Sequence, residues 1–416
     1  MNIKNQIHLD KINIQPEVVF CRGFQGVMKL GMYVLPWRMP KTLKGAGAVK
    51  KLPSAMRRRG FKKPLIVTDQ MLMGLGMLNG MIDSLERIGI EYVIYDGVAP
   101  NPTDVNIEEG ASLYREHECD CMIAFGGGSP MDCAKGIGAR IARPNKPIHR
   151  MQGLFGGLRP IPTIFAVPTT AGTGSETTIA AVITEEATHH KASMNDLFLM
   201  PKFAVLDPEL TVGLPPQMTA VTGMDALCHA VEAYTNNTYN SKKEKKLCKK
   251  AVKLIYDYLY VAYEDGKNLE ARQKMQMAAF YAGRAFTRGC VGYVHAIGHT
   301  LGGLYGTPHG LAMAVLLPHV MRAYGSAAHM CLAELCDVCG IKSSDDSIEA
   351  KAEAFIAWME EMKEKMNIPV YPPVLKNEDV DQIVEWAHKE GNPLYPTPVT
   401  WTKADFKAFI YTMQEI

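Results

Sequence analysis

The chain has 416 residues, of which 47% are hydrophobic and 21% charged, with a formal net charge of +2. This composition is typical of a globular protein, and the length exceeds what one ordinary core fills, so we expect two domains. The near-zero net charge argues against a general nucleic-acid-binding protein, which normally carries a strong basic excess.

The sequence also bears on the compartment. Residues 1–16 carry charges and no uninterrupted apolar run, so no secretory signal peptide is evident. The apolar stretch 18–37 is interrupted by Arg22, Gln25 and Lys29, which argues against a membrane span. Ten cysteines without an extracellular marker are typical of reduced thiols in the cytoplasm.

Short β-rich runs alternate with helical patterns in the first half of the chain. A strand and glycine turn leading into a helix is predicted at 42–52, whereas residues before about 36 show no clear pattern. The alternation predicts βαβ units and a mainly parallel sheet, and the apolar runs are typical of strands covered on both faces. Strands are predicted at 64–69, 91–96, 121–129, 163–170 and 203–207, and helices at 76–88, 104–117 and 130–142.

The pattern changes after Pro215 and Pro216. From Thr219 onward the periodicity is helical and almost nothing resembles a strand. The proline pair therefore predicts a boundary between an α/β domain at 1–215 and an all-helical domain at 216–416.

Glycine-rich loops follow two of the predicted strands. In FGGGSPMDCAKGIG, three glycines precede a helix whose N-terminus can bind an anion, with Ser129 as the expected N-cap and Asp132 at the third helical position. It matches neither the G-x-G-x-x-G nor the P-loop fingerprint. The second loop, PTTAGTGSETT at 168–178, is rich in hydroxyl groups and glycine. A tight strand-to-helix turn remains the alternative for the first loop.

Asp69 ends the predicted strand LIVTD. A carboxylate at this position can accept hydrogen bonds from a ribose diol and repel a 2′-phosphate, although an ordinary turn residue is the alternative. Together with the two glycine loops, it predicts a dinucleotide site at the carboxyl edge of the sheet.

The segments GMDALCHAVEAY and GYVHAIGHTLGGLYGTPHG carry a cluster of metal-ligand side chains. Asp225 and His229 stand at i, i+4 with helical character, His295 and His299 repeat that spacing, and His309 lies in a Pro-His-Gly turn. One carboxylate and three imidazoles suit Fe(II) or Zn(II) better than Mg²⁺ or Ca²⁺. Spacing alone leaves open whether these residues bind a metal or form buried structural pairs.

Two further clusters have simpler interpretations. The lysine-rich stretch 242–250 is interrupted by Glu244 and is typical of a solvated helix face. His329, Cys331, Cys336 and Cys339 lack a standard metal-site spacing, so a helix interior explains them better than a metal or cluster site.

From about residue 38 the chain resembles the iron-containing (group III) alcohol dehydrogenase family, within the dehydroquinate synthase-like superfamily. Residues 1–36 and the cysteine-rich helix are not hallmarks of that family. The motifs that carry the resemblance are KGAGAVKKL, IVTD, NPT at 101–103, GGGSPMDCAK, PTTAGTGSETT, HK ending at Lys191, PKFAVLDPEL, TGMDALCHAVEAY, HAIGHTLGG, PHG and GNPLYPTPV.

The resemblance implies a dinucleotide-binding α/β domain, an all-helical metal-binding domain and an active site in the cleft between them. It places His299 near the metal but outside the ligand set. The implied metal ligands are Asp225, His229, His295 and His309. The implied NAD(H) contacts are Asp69, Asn101, Gly127, Gly128, Ser129, Asp132, Thr169, Thr170, Thr178 and Lys191, with Asp69 favouring NAD(H) over NADP(H).

The activity implied is hydride transfer between NAD(H) and a small primary alcohol or diol and its aldehyde, with the substrate oxygen on Fe(II) and His299 as a proton relay. Zn(II) remains possible, and the physiological substrate is not specified. A cytoplasmic homodimer or higher oligomer is expected from the family. The alternatives are a zinc-dependent glycerol-type dehydrogenase, a dehydroquinate synthase-like lyase or a non-catalytic scaffold.

Overall fold

The computed structural model describes residues 15–157, 159–187 and 191–414. Six strands form one parallel sheet in the order β1-β9-β6-β4-β2-β3, and a smaller sheet has the order β5-β8-β7. The strands are β1 (Lys41–Lys44), β2 (Pro64–Val67), β3 (Val93–Tyr95), β4 (Cys121–Gly126), β5 (Gly153–Leu154), β6 (Thr163–Pro168), β7 (Ala180–Thr184), β8 (Lys191–Asn195) and β9 (Phe203–Leu206).

Helices cover both faces of the parallel sheet. Alternate residues of each strand point to opposite faces, so Ile123 of β4 packs in one hydrophobic cluster and Met122 in the other. The strands β2, β4, β6 and β9 are buried throughout, as their continuous apolar runs predicted. The helices of this part are α1 (Pro16–Val34), α2 (Ala48–Arg57), α3 (Gln70–Gly74), α4 (Asn79–Arg87), α5 (Asp104–Glu116) and α6 (Gly128–Ala142).

After β9 the described chain contains helices and no further strand. Together with the parallel sheet, this confirms the predicted fold class of an α/β part followed by a helical part. Here the helices are α7 (Pro216–Thr235), α8 (Lys242–Glu264), α9 (Leu269–Gly289), α10 (Tyr293–Tyr305), α11 (His309–Ala323), α12 (Ser326–Cys339), α13 (Ile348–Lys365), α14 (Val380–Gly391) and α15 (Lys403–Thr412).

Helix α7 is the centre of the helical part. Pro216 occupies its first turn, where a missing backbone N–H costs nothing. From Met224 to Thr235 every residue is buried, so the helix is apolar around most of its surface and is packed by α8, α9 and α11. Polar side chains on such a helix need partners inside the protein.

Three features of the fold differ from the sequence prediction or were not predicted. The predicted helix 76–88 begins only at Asn79, because Gly76 adopts a left-handed conformation at φ +66° and separates α3 from α4. The β5-β8-β7 sheet was not predicted, since its strands are short and β7 is buried only at alternate residues. Helix α1 occupies the unassigned N-terminal region, whereas residues 1–14 lie outside the described part.

Two predictions about helices can be compared directly with the structure. Cys331, Cys336 and Cys339 are buried in α12, and the candidate metal-binding groups among the described residues do not include them. The lysines of 242–250 are exposed or half-exposed on α8, whereas Glu244 is buried. Within the described chain, no helix combines the length and the apolar character that crossing a bilayer requires.

Candidate metal and dinucleotide-binding site

The structure brings the four predicted metal ligands together. Helix α7 carries Asp225 and His229, α10 carries His295, and His309 is the first residue of α11. One candidate ligand atom of each lies within 4.8 Å of the others. Nε2 of His295 is 3.1 Å from Nε2 of His229, and Nε2 of His309 is 3.3 Å from Oδ1 of Asp225. Residues separated by up to 84 positions therefore converge because three helices meet at one point.

Unsatisfied polar atoms show that this group fits a cation. Oδ1 of Asp225 and Nδ1 of His229 are buried, and neither makes a hydrogen bond of acceptable geometry within the described chain. A buried polar atom without a partner costs about 1–3 kcal/mol, so such atoms are rare unless something else binds them. One carboxylate and three imidazoles match the donor preference of Fe(II) and Zn(II).

The electrostatics keep the imidazoles available as ligands. Burial disfavours the imidazolium form and lowers the pKa of His229 to about 3, and it also lowers the pKa of His295 well below its ordinary value. Both rings are therefore neutral at pH 7 and retain a lone pair for a metal. The ring of Phe286 stacks on His229 with centroids 4.2 Å apart and closes this side of the site to water.

Glu232 was missed by the sequence analysis. Its Oε2 accepts a hydrogen bond from Nδ1 of His295 at 2.5 Å, and its Oε1 accepts one from the backbone N–H of Val294 at 2.8 Å. The ionised carboxylate of Glu232 only accepts, so in that form Nδ1 of His295 carries the proton and Nε2 keeps the lone pair. The available signal was its position three residues after His229, which places both on one face of α7.

The same contact distinguishes two candidate metal groups. Cys228, Glu232 and His295 also lie close enough to hold an ion. That arrangement needs the thiolate of Cys228, and burial raises the pKa of this thiol well above its ordinary value. It also competes with the Nδ1–H of His295 for Glu232. The group around Asp225 is the better metal site.

His299 lies beside the candidate metal ligands. Its ring stacks on His309 with centroids 5.2 Å apart and an interplanar angle of 24°. Its Nδ1 is 2.7 Å from Oε1 of Glu390. His299 follows His295 by one turn of α10, yet it does not belong to the group whose ligand atoms converge.

The predicted dinucleotide residues follow the carboxyl ends of three neighbouring strands. Asp69 follows β2, the glycine loop follows β4, and Thr169 and Thr170 follow β6. Gly126 has φ +147°, and a Cβ there would lie 2.6 Å from Cγ of Pro130, so only glycine fits. The loop therefore presents the N-terminus of α6 at the edge of the sheet, where an anion can bind.

The expected cap of α6 is wrong. The helix begins at Gly128, and its N-cap is Gly127, two residues before Ser129. The Ser129 hydroxyl instead donates to the carbonyl of Pro100, because the chain after β3 passes beside this turn. Asp132 consequently lies in the second turn, where it accepts hydrogen bonds from Ser175 Oγ at 2.8 Å and Val182 N at 3.0 Å.

Lys135 fixes the second glycine loop and was also missed. It is fully buried, and its Nζ donates to Ser175 Oγ, Thr178 Oγ1 and the carbonyl of Ala180 at 2.7–2.8 Å. Thr178 is buried and held by this lysine. The lysine and Asp132 together tie the loop to α6, so the two glycine-rich segments form one unit.

The remaining predicted contacts lie around this unit. Asn101 lies in the exposed loop after β3, next to the carbonyl that binds Ser129. Lys191 begins β8, and its side chain lies outside the described part of the chain. Asp69 caps α3 by accepting a hydrogen bond from Leu72 N at 2.9 Å.

Two glycines join the loop to the helical part. Gly174 has φ +60°, and a Cβ on it would lie 2.8 Å from Cα of Gly283 in α9. A Cβ on Gly283 would lie 2.3 Å from Oγ1 of Thr177. The backbones of the 168–178 loop and of α9 are therefore in direct contact, three residues before the Phe286 that stacks on His229.

Two family models together match most of the chain. The family model for iron-containing alcohol dehydrogenase matches residues 40–208, and that for the C-terminal part of the Fe-containing alcohol dehydrogenase family matches 219–413. The chain belongs to the iron-containing alcohol dehydrogenase family, which confirms the resemblance noted above. It is thus an alcohol oxidoreductase of this family.

Individual relatives align along most of their length. Alcohol dehydrogenase 4 of Schizosaccharomyces pombe is 39% identical over 85% of this chain and 84% of its own. NAD-dependent methanol dehydrogenase of Bacillus methanolicus is 36% identical over 84% and 92%, respectively. A crystal structure of 1,3-propanediol oxidoreductase superposes with a TM-score of 0.87 at 35% identity, covering 92% of this chain and 100% of that one.

Proposed function

We propose that this protein is an NAD(H)-dependent alcohol dehydrogenase and aldehyde reductase that holds Fe(II) at Asp225, His229, His295 and His309. The convergence of these four side chains carries the proposal. Its substrates are small primary alcohols or diols and their aldehydes, as the names of the relatives suggest. Zn(II) suits the same donors.

The proposed arrangement of the cofactor follows from the sheet edge. The N-terminus of α6 binds the pyrophosphate, Asp69 faces the adenosine ribose, and the 168–178 loop holds the nicotinamide half. A domain boundary near residue 215 then places the active site between the α/β part and the helical part. The contact of Gly174 with Gly283 supports this, since it brings the loop next to the helix that touches His229.

A divalent metal bound at these residues supplies Lewis acidity, which lowers the pKa of an alcohol and polarises an aldehyde carbonyl. The protein orients the metal ligands and excludes water from most of the site. Asp225, His229 and His295 are buried, whereas the His309 side chain is 38% exposed and marks the open side of the site. His299 lies on that side next to His309, where we propose that its Nε2 exchanges the proton of the alcohol.

The ten cysteines are all free, and nine are buried, which supports a cytoplasmic protein whose thiols remain reduced. A dehydroquinate synthase-like reaction on a phosphorylated, carboxylated substrate needs a basic pocket. Arg284 and Arg288, the basic residues closest in sequence to the ligands, are instead directed towards Glu244, with nitrogen–oxygen distances of 3.9 and 3.5 Å. This geometry gives the lyase alternative no support.

One experiment tests the proposal directly. The purified protein is loaded anaerobically with Fe(II) or Zn(II), and NADH or NADPH oxidation is followed with a panel of short aldehydes. We expect NADH oxidation with several aldehydes, and loss of metal and activity together in His309→Ala. A protein that retains the metal but oxidises NADH with none of the aldehydes would overturn the proposal.

A further inference from the structure

The end of α14 and the loop after it lie against the histidine cluster. Oε1 of Glu390 is 2.7 Å from Nδ1 of His299 and accepts a second hydrogen bond from the Tyr395 hydroxyl at 2.9 Å. Glu390 is 91 residues away from His299 along the chain. The carboxylate of Glu390 thus contacts both His299 of α10 and Tyr395 of the loop after α14.

The hydrogen bond determines the tautomer of His299. Burial opposes the ionised form of Glu390, but the contacts with His299 and Tyr395 outweigh it and lower the pKa of this carboxyl group. Its ionised oxygens accept only, so the proton of a neutral His299 lies on Nδ1. Nε2 is then the acceptor nitrogen of the ring. Stacking on His309 fixes the plane of the ring, and the bond to Glu390 fixes its rotation within that plane.

Helix α1 braces the loop that carries Tyr395. The Gln25 side chain is 1% exposed, and its amide donates to the carbonyls of Pro393 and Tyr395, both at 3.0 Å. Arg22 donates to the carbonyls of Thr397 and Pro398 at 2.9 and 3.0 Å. Four carbonyls of one irregular loop therefore depend on two side chains of α1.

This brace lies outside the matched family regions. Helix α1 spans Pro16–Val34, whereas the matches cover 40–208 and 219–413. The residues that hold the loop therefore belong to the N-terminal part in which the chain exceeds its family models.

We propose that Glu390 is a positioning residue for His299, and that Gln25 of α1 holds the loop from which Tyr395 supports Glu390. Glu390 keeps the proton of His299 on Nδ1 and thereby presents Nε2 as the atom that accepts the proton of the alcohol. The inference rests on the proposed function for its effect on turnover. The tautomer itself is independent of that function.

The first test substitutes Glu390. We expect Glu390→Ala to lower kcat about 10-fold or more, because an unoriented base loses part of a contribution that is typically 10²–10⁴-fold. The KM for NADH and the metal content should remain those of the wild type. In Glu390→Gln the amide oxygen still accepts from Nδ1, so we expect this variant to recover most of the lost turnover.

A spectroscopic measurement separates positioning from general damage. With ¹⁵N-labelled histidine in the zinc-loaded protein, the ring nitrogens of His299, assigned by comparison with His299→Gln, should show a single Nδ1–H tautomer. In Glu390→Ala they should move towards a mixture of tautomers. Unchanged ring shifts, or a kcat within about twofold of the wild type, would refute the role of Glu390.

The second test addresses the brace. We expect Gln25→Ala to lower kcat less than Glu390→Ala does, and to have no further effect when it is added to Glu390→Ala. Lys29→Ala, on the exposed side of the same helix, is the matched control and should behave as the wild type. Additive effects of Gln25→Ala and Glu390→Ala would show that α1 acts independently of Glu390 and would overturn this part of the inference.

The two proposals can fail separately. A wild-type protein without aldehyde reductase activity contradicts the proposed function, while the nitrogen shifts of His299 in the wild type and in Glu390→Ala still decide whether Glu390 sets the tautomer. An active wild type with insensitive shifts contradicts the positioning role alone.

Discussion

Glu232 and His295 share a hydrogen bond of 2.5 Å inside the core of the helical part, and both oxygens of Glu232 are occupied as acceptors. Burial raises the pKa of Glu232 to about 7, although the backbone N–H groups of Gly292 and Val294 oppose this shift. A buried carboxylate at this position costs more free energy than an apolar side chain would. We therefore expect the main role of Glu232 to be the orientation of His295.

Glu232→Gln should weaken metal binding by about 10–100-fold, the usual cost of losing a partner behind a metal ligand. The amide group cannot accept both hydrogen bonds, so either Val294 N–H loses its acceptor or the proton of His295 moves to Nε2. A chelator-competition titration measures the affinity. Glu364→Gln, on an exposed position of α13, is the control. An affinity equal to that of the wild type would contradict the role of Glu232.

Asp69 caps α3 and is proposed to face the adenosine ribose, and two substitutions separate these two roles. Serine also caps a helix, so Asp69→Ser should keep α3 intact while removing the charge that repels a 2′-phosphate. We expect the ratio of kcat/KM for NADPH to that for NADH to rise about 10-fold or more, which corresponds to roughly 1.4 kcal/mol. Asp69→Ala should show the same change in preference with an additional loss of stability of about 1 kcal/mol. An unchanged preference in both variants would remove Asp69 from the ribose site.

Gly283→Ala should push the 168–178 loop away from α9. The new Cβ would lie 2.3 Å from Oγ1 of Thr177 and 2.7 Å from the carbonyl of Gly174, which is backbone and cannot rotate away. We expect a loss of about 1–3 kcal/mol in the free energy of unfolding and weaker NADH binding, measured by denaturation and by fluorescence titration. Gly23→Ala in α1, where nothing lies within 4 Å of the added atom, should stabilise the protein by about 0.5–1 kcal/mol. Equal changes in stability and NADH binding for Gly283→Ala and Gly23→Ala would show that the contact between α9 and the 168–178 loop is loose.

Lys363 predicts a pH dependence of stability. It is 3% exposed, its Nζ donates to the carbonyls of Val315 and Val370, and burial lowers its pKa from 10.5 to about 8. Between these values the unfolded chain binds a proton that the native state does not, so this lysine makes the native state more stable as pH rises from about 8 to about 10.5.

The comparison with Lys363→Met isolates this effect. Relative to the variant, the wild type should gain about 1.4 kcal/mol per pH unit within that window, or roughly 3 kcal/mol in total. Chemical denaturation at several pH values measures the difference. A difference independent of pH would show that the native lysine titrates like an exposed one.

Much of the fold was predictable because it depends on local patterns. Continuous apolar runs identified β2, β4, β6 and β9, and the i, i+4 spacing of Asp225 with His229 placed both on one face of a helix. Such patterns can be read from the sequence because side-chain direction repeats every two residues in a strand and about every 3.6 residues in a helix.

The parts that sequence reasoning missed depend on contacts across the chain or on short segments. Glu390 meets His299 across 91 residues, and no spacing rule connects them. Glu232 resembles any helical glutamate until its burial is known. Ser129 was misplaced as a cap because the glycine before it can itself enter the helix. Helix α1 escaped notice since Gly23, Gly26 and Gly31 weaken its helical pattern.

Helix α9 has one further consequence. It touches the 168–178 loop through Gly283 and the candidate metal ligand His229 through Phe286, only three residues later. Gly283 and Phe286 lie within one turn of α9, so the loop and His229 contact the same short segment of this helix. Any coupling that this turn carries between a metal at His229 and a cofactor at the 168–178 loop would change both affinities by the same factor.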